Sequence, residues 1–153
     1  MMKRHLFIIS AIVGILSVVS SCKKEDDLDK IFYGRTWYMA SGKIQGQPIV
    51  GDNLKKFYSS ENAYYVSFGT ETVTGSLEAG RTFSGTWTVD GKARTLHFEI
   101  HTTLSTNDVM DRSLYGILQK TVRYSGDENI LTLYADDYNY IGFSAKRSES
   151  SEY

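Results

Sequence analysis

The chain has 153 residues, enough for one domain with a sizeable core. Its 17 Lys and Arg against 18 Asp and Glu leave a net charge of −1, which argues against nucleic acid or anionic lipid as partners, since both are held by clustered Lys and Arg. A single cysteine excludes an intramolecular disulfide, so the core has to carry the stability.

From the start, Lys3, Arg4 and His5 form a basic head, and residues 6–19 form an apolar core broken only by Ser10, Gly14 and Ser17. A membrane-spanning helix needs roughly 20 predominantly apolar residues, more than this core supplies before the small pair Ser20 and Ser21. Residues 1–21 therefore read as a cleaved secretory signal peptide. Val19, Ser20, Ser21 and Cys22 resemble the lipobox of bacterial lipoproteins, in which the cysteine becomes the new N-terminus. The resemblance implies that Cys22 carries a thioether-linked diacylglycerol and an N-acyl chain, a stable anchor because more than one chain is buried in the membrane. Residues 22–30 are then the lipidated cysteine and a charged, solvated tether, since such dense mixed charge buries too little apolar surface to become ordered. The tether also resembles the lysine-plus-acidic sorting signal that follows some lipidated cysteines. That implies an outer-membrane location with exposure at the cell surface, the periplasmic face being the alternative.

Residues 31–146 read as one β domain. Period-2 alternation marks strands at 37–40, 64–68, 72–77, 122–124, 130–134 and 138–145. It is clearest in "RTFSGTWTVDG", where Phe83, Gly85, Trp87 and Val89 share one face and Asp90-Gly91 supplies a tight turn. The chain returns with Leu96, Phe98 and Ile100 inward. These are eight strands joined too closely for helical crossovers, so the fold class is mainly β: an antiparallel eight-stranded half-open barrel or curved sheet. Residues 52–62 read either as a short helix or as a loop. Residues 108–121 depart from alternation, with Val109, Met110, Leu114, Ile117 and Leu118 at three- and four-residue steps, and form one packed α-helix. Ser105 with Asp108 three residues on is a capping-box-like start that could slide to Asn107. Gly116 within the helix points to close packing against the sheet. Residues 147–153 are a serine- and charge-rich tail expected to fray.

The order of these elements resembles a known family. "GRTWYMAS", the meander "FSGTWTVDGKARTLHFEI", Thr102 and Thr103, the helix "MDRSLYGILQKT" and the closing "VRYSGDENILTLY" are similar to the META-domain family of small bacterial envelope proteins, the HslJ-like lipoproteins. The cysteines many members carry are missing here. A rival is the lipocalin-like group of bacterial lipoproteins, which shares the "SGTWTVDG" style of strand and turn but does not require the helix. The META resemblance implies envelope maintenance or stress tolerance, and it implies no active site.

The sequence contains no Gly-x-Ser-x-Gly elbow, no phosphate loop, no His-Glu-x-x-His and no calcium loop. Asp136, Asp137 and Asn139 in "YADDYNYIG" read as a polar hairpin turn. His97, Glu99 and His101 alternate along one strand face. At about 3.3 Å per residue the histidines start roughly 13 Å apart, so the three read as a solvated outer face and not as one zinc site. Tyr134, Tyr138 and Tyr140 form the least ordinary cluster, a candidate ligand or partner surface, although cross-strand pairing also accounts for them. The expectation is a lipid-anchored, non-catalytic envelope domain that binds or shields another molecule. It needs no cofactor or metal, its partners are the membrane through the lipid on Cys22 and an unidentified envelope protein or small apolar ligand, and nucleic acid is excluded. The alternative is a lipocalin-type carrier of a small apolar ligand.

Overall fold

The computed structural model describes residues 24–147. The signal segment, Cys22 and tail residues 148–153 lie outside them. The chain forms α1 (Leu28–Ile31), β1 (Thr36–Ile44), β2 (Gln47–Pro48), α2 (Gly51–Lys56), β3 (Tyr65–Phe68), β4 (Thr72–Ser76) and β5 (Thr82–Asp90). There follow β6 (Thr95–Ile100), α3 (Val109–Gln119), β7 (Arg123–Gly126), β8 (Ile130–Tyr134) and β9 (Tyr140–Ser144). All strand pairings are antiparallel, and β1 pairs with β9 as well as with β3, so eight strands close into a barrel with β2 as a short extension on β1.

Closure depends on the length of β1. Its first residues, Thr36 to Tyr38, pair with β3, while Tyr38 to Lys43 pair with β9 across an irregularity between Met39 and Ser41. Every strand read from alternation is present. In β5, Phe83, Gly85 and Trp87 point inward between exposed Thr and Ser residues. Gly85 is required there, because a Cβ would lie 2.8 Å from the Ile100 Cα on β6. The seam between β6 and β7 is short, with the single register pair Thr95 and Arg123.

Strand directions define two ends. Turns 69–71, 91–94 and 127–129 lie with α1 at one end; turns 45–46 and 135–139, α2 and α3 lie at the other. At the α1 end Phe32, fully buried, places its ring 4.8 Å from Tyr124, 5.2 Å from Phe68 and 5.4 Å from Trp87. The indole of buried Trp37 donates to the Ile31 carbonyl at 2.8 Å. Toward the α3 end, Phe57, Leu114 and Leu118 are fully buried. The barrel interior is filled with side chains.

The charged stretch is not a solvated tether beyond residue 25, because Asp26 is bound to the barrel and α1 follows it. Leu28, Ile31 and Phe32 fall at i, i+3 and i+4, and burying that stripe outweighs the charge around it. The main helix begins at Val109 with Asp108 as N-cap, its carboxylate accepting from the Asp111 N–H at 3.0 Å; Ser105 and Asn107 do not cap it. Val109, assigned to the buried stripe, is 68% exposed. Gly116 has open space where a Cβ would stand, so no close approach explains it. In the stretch 52–62 a short helix forms at its start, as α2. Arg147 is not frayed: its guanidinium lies over the Tyr38 ring and donates to the carbonyls of Phe57, Glu61 and Ala63.

Candidate functional site

At the α3 end an open groove of about 510 Å³ separates the β1–β2 hairpin and α2 from the first turns of α3. Ile44, Pro48, Ile49, Val50, Val109 and Met110 give it an apolar lining, with Asn53, Asn107 and Ser113 as polar groups. Val50 is 63% exposed and Val109 68%. One wall is the hairpin. Its turn takes left-handed backbone at Gln45 (φ 51°) and Gly46 (φ 79°), the geometry of a two-residue hairpin loop. The next hairpin buttresses it, since the Gln45 N–H donates to Asn139 Oδ1 at 2.8 Å and the Gly46 N–H to the Tyr138 carbonyl at 2.9 Å.

The other wall is α3, fixed by two contacts. Lys56 Nζ donates to Asp108 Oδ2 at 2.5 Å, joining α2 to the helix N-cap. This hydrogen bond raises the Lys56 ammonium pKa and lowers that of the Asp108 carboxyl. Beneath it, the Tyr64 hydroxyl donates to Asp111 Oδ1 at 2.9 Å. Tyr64 is reached by a distortion of the sheet just before β3: its φ is 56°, its N–H donates to the Leu77 carbonyl at 2.8 Å, and its carbonyl accepts from Met39 at 2.8 Å. Such local kinks re-aim a side chain. Here the ring turns inward beneath the helix.

Asp111 is fully buried, and among the described residues its Oδ2 has no partner. Burial, then repulsion from Asp108 and Glu78, raises its carboxyl pKa, against the opposing effects of the Tyr64 hydrogen bond and Lys56. Burial and the same carboxylate raise the Tyr64 phenol. The groove therefore offers apolar contact and neutral hydrogen-bonding groups, with Asp108 already committed to Lys56 and to the cap. That arrangement suits non-covalent contact with an apolar side chain or short segment.

Of the tyrosines singled out in the sequence, Tyr134 and Tyr140 are brought together, ring centroids 5.3 Å apart, on the outer face. Arg123 lies 3.7 Å from the Tyr134 ring centre and Lys43 5.9 Å from that of Tyr140. The row Arg123, Tyr134, Tyr140, Lys43 follows the register of β7, β8, β9 and β1, and its rings are occupied by their neighbours. Tyr138 stands apart in the turn, 69% exposed, its ring beside Gly46 of the β1–β2 turn. Asp136 is a turn former: its Oδ1 accepts from the N–H groups of Tyr138 and Asn139 at 2.8 and 2.9 Å. His97, Glu99 and His101 are all exposed. Among the described residues no three His, Cys, Asp or Glu side chains gather as a metal site would need. Cys22 lies outside the described residues, and among those residues no helix is long and apolar enough to cross a membrane.

Sequence reasoning missed Asp111 and Asp26. A signal existed for the first, because Asp111, Leu114 and Leu118 share the buried helix stripe, where a carboxylate stands out. Nothing distinguishes Asp26 from the charges around it.

No curated protein matches the chain. Among solved structures, a DUF4847 family protein from Bacteroides vulgatus is similar at 24% identity with a TM-score of 0.65, covering 80% of this chain and 99% of that one. A protein solved by NMR is similar at 17% identity with a TM-score of 0.50, covering 77% and 94%. At these identities the likeness shows the barrel alone, and the META assignment finds no counterpart in it. The family model of DUF4847, a domain of unknown function, matches residues 23–145, and the chain belongs to that family.

Proposed function

We propose that this chain is a lipid-anchored, non-catalytic envelope domain that binds another molecule through the groove at its α3 end. The groove carries the reading: a recess of about 510 Å³ with Val50 and Val109 exposed above it, walled by α3 and a buttressed hairpin. Exposed apolar side chains gathered around a recess are a mark of contact sites. The lipobox at Val19 to Cys22 supports the anchor and the envelope location. A role in envelope stress tolerance rests on the META-like order of elements. The carrier alternative has less support, since Phe32, Trp37, Met39 and Leu133 fill the space a ligand would need.

Photo-crosslinking in intact cells tests the reading. A photoreactive residue at Val109 is expected to trap a discrete partner, the product disappearing with Val50→Asp, while the same probe at Thr88 traps none. Identical products from both probes would contradict a specific groove. Saturable fatty-acid binding by the soluble domain, unaffected by Val50→Asp, would favour the carrier.

A further inference from the structure

The stretch after Cys22 becomes bound to the barrel within a few residues. The Asp26 N–H donates to the Gly91 carbonyl at 3.2 Å, its carboxylate takes Arg94 Nε and Nη2 at 3.1 Å each, and the Tyr124 hydroxyl donates to Oδ2 at 2.9 Å. The Asp26 side chain is 13% exposed. Ile31 and Phe32 then plug the same end of the barrel. Lys24 and Glu25 run along a cleft of about 460 Å³ between Arg94 and the 127–129 turn, so the chain leaves from the end of the barrel and not from its side.

The geometry points to Asp26 as a clasp that seats the α1 end of the barrel against the lipid bilayer and presents the α3 end, with its groove, away from the membrane. This rests on the lipid-anchor reading of Cys22. From Cys22 to Asp26 is four residues, a leash of at most about 14 Å; released from Asp26 it reaches about 21 Å at Leu28, and about 30 Å at Ile31 once the short α1 unwinds. The nine residues of β1 rise about 30 Å along the strand, and a tilt of about 40° makes the barrel about 23 Å tall. The short leash is less than that height and the longest exceeds it. The clasp keeps the leash well below that height and holds the chain ahead of α1, so that the α1 end meets the bilayer. Lys24, Lys30 and Arg94 around the cleft are matched by Glu25, Asp27, Asp127 and Glu128. The seat therefore comes from the anchor, not from attraction to anionic lipid, and should form on neutral membranes.

The test uses the full acylated chain, extracted from cell membranes and reconstituted into phosphatidylcholine vesicles carrying a nitroxide headgroup lipid. With the Cys22 sulfur in thioether linkage, a cysteine introduced at Lys92 (α1 end) or at Lys55 (α3 end) is the one free thiol for a fluorophore. The nitroxide is expected to quench the Lys92→Cys label and to leave the Lys55→Cys label unquenched. Asp26→Ala is expected to shrink that difference while flotation with the vesicles persists. Arg94→Gln, which leaves the core untouched, is expected to act in the same direction. Equal quenching at both positions in the unmodified background, or an unchanged difference in both clasp variants, would overturn the clasp. A chain that neither floats nor carries acyl mass on its N-terminal peptide would overturn the lipid reading, and the clasp with it.

Discussion

Asp111 shows no surface to solvent, and one of its oxygens has no partner among the described residues, while the other accepts from a tyrosine held in left-handed backbone. A buried carboxyl of this kind is favoured in its protonated form. Its folded pKa lies above the ordinary carboxylate value, chiefly through burial. Its contribution to stability is thus complete below the unfolded value of about 3.9 and is lost as pH rises through the folded value. Asp90, Asp108, Asp127 and Asp136 are shifted the other way by the hydrogen bonds they accept, and their contributions are lost only as pH falls below about 4. The windows do not overlap. Urea midpoints of the soluble domain are expected to decline as pH rises from about 4 toward neutrality, and Asp111→Asn to flatten that decline. Tyr64→Phe should cost about 1 to 3 kcal/mol, because it removes the hydroxyl that donates to a buried acceptor. A midpoint profile unchanged by Asp111→Asn would contradict the account.

At the scale of elements, α3 separates two candidate starts. A cap at Asp108 predicts that Asp108→Ala costs about 1 to 2 kcal/mol, with the Lys56 pair lost as well, whereas Ser105→Ala stays within about 0.5 kcal/mol. Equal costs in urea titrations would mean that the helix start is wrong. Alternation made the eight strands legible, since each strand carries its own record of which face is buried. It could not show that Met39 faces Phe143 more than a hundred residues away, and so could not choose between an open sheet and a closed barrel. The helix was legible from its stripe, but its first residue was not, because Ser105, Asn107 and Asp108 all cap well. Composition hid α1: the charged run at 23–30 surrounds Leu28 and leads into Ile31 and Phe32, whose burial was decided by the space at the barrel end. The groove was illegible for the same kind of reason. Val50 and Val109 belong to different elements, and the Lys56–Asp108 contact that brings those elements together spans 52 residues.

For the molecule as a whole, a filled barrel with Asp26 tied down at one end and a groove at the other would, on the proposed lipid anchor at Cys22, hold a surface away from a membrane. Everything in that arrangement depends on Cys22. The most direct measurement is detergent partitioning and membrane sedimentation of the full chain beside Cys22→Ser, with the mass of the mature N-terminal peptide. The account predicts an acylated N-terminus at Cys22 and membrane retention that is lost in Cys22→Ser, while the variant domain, where released, melts as the parent does. A Cys22→Ser chain that stays in the membrane fraction, or a parent chain with no acyl mass on Cys22, would contradict it.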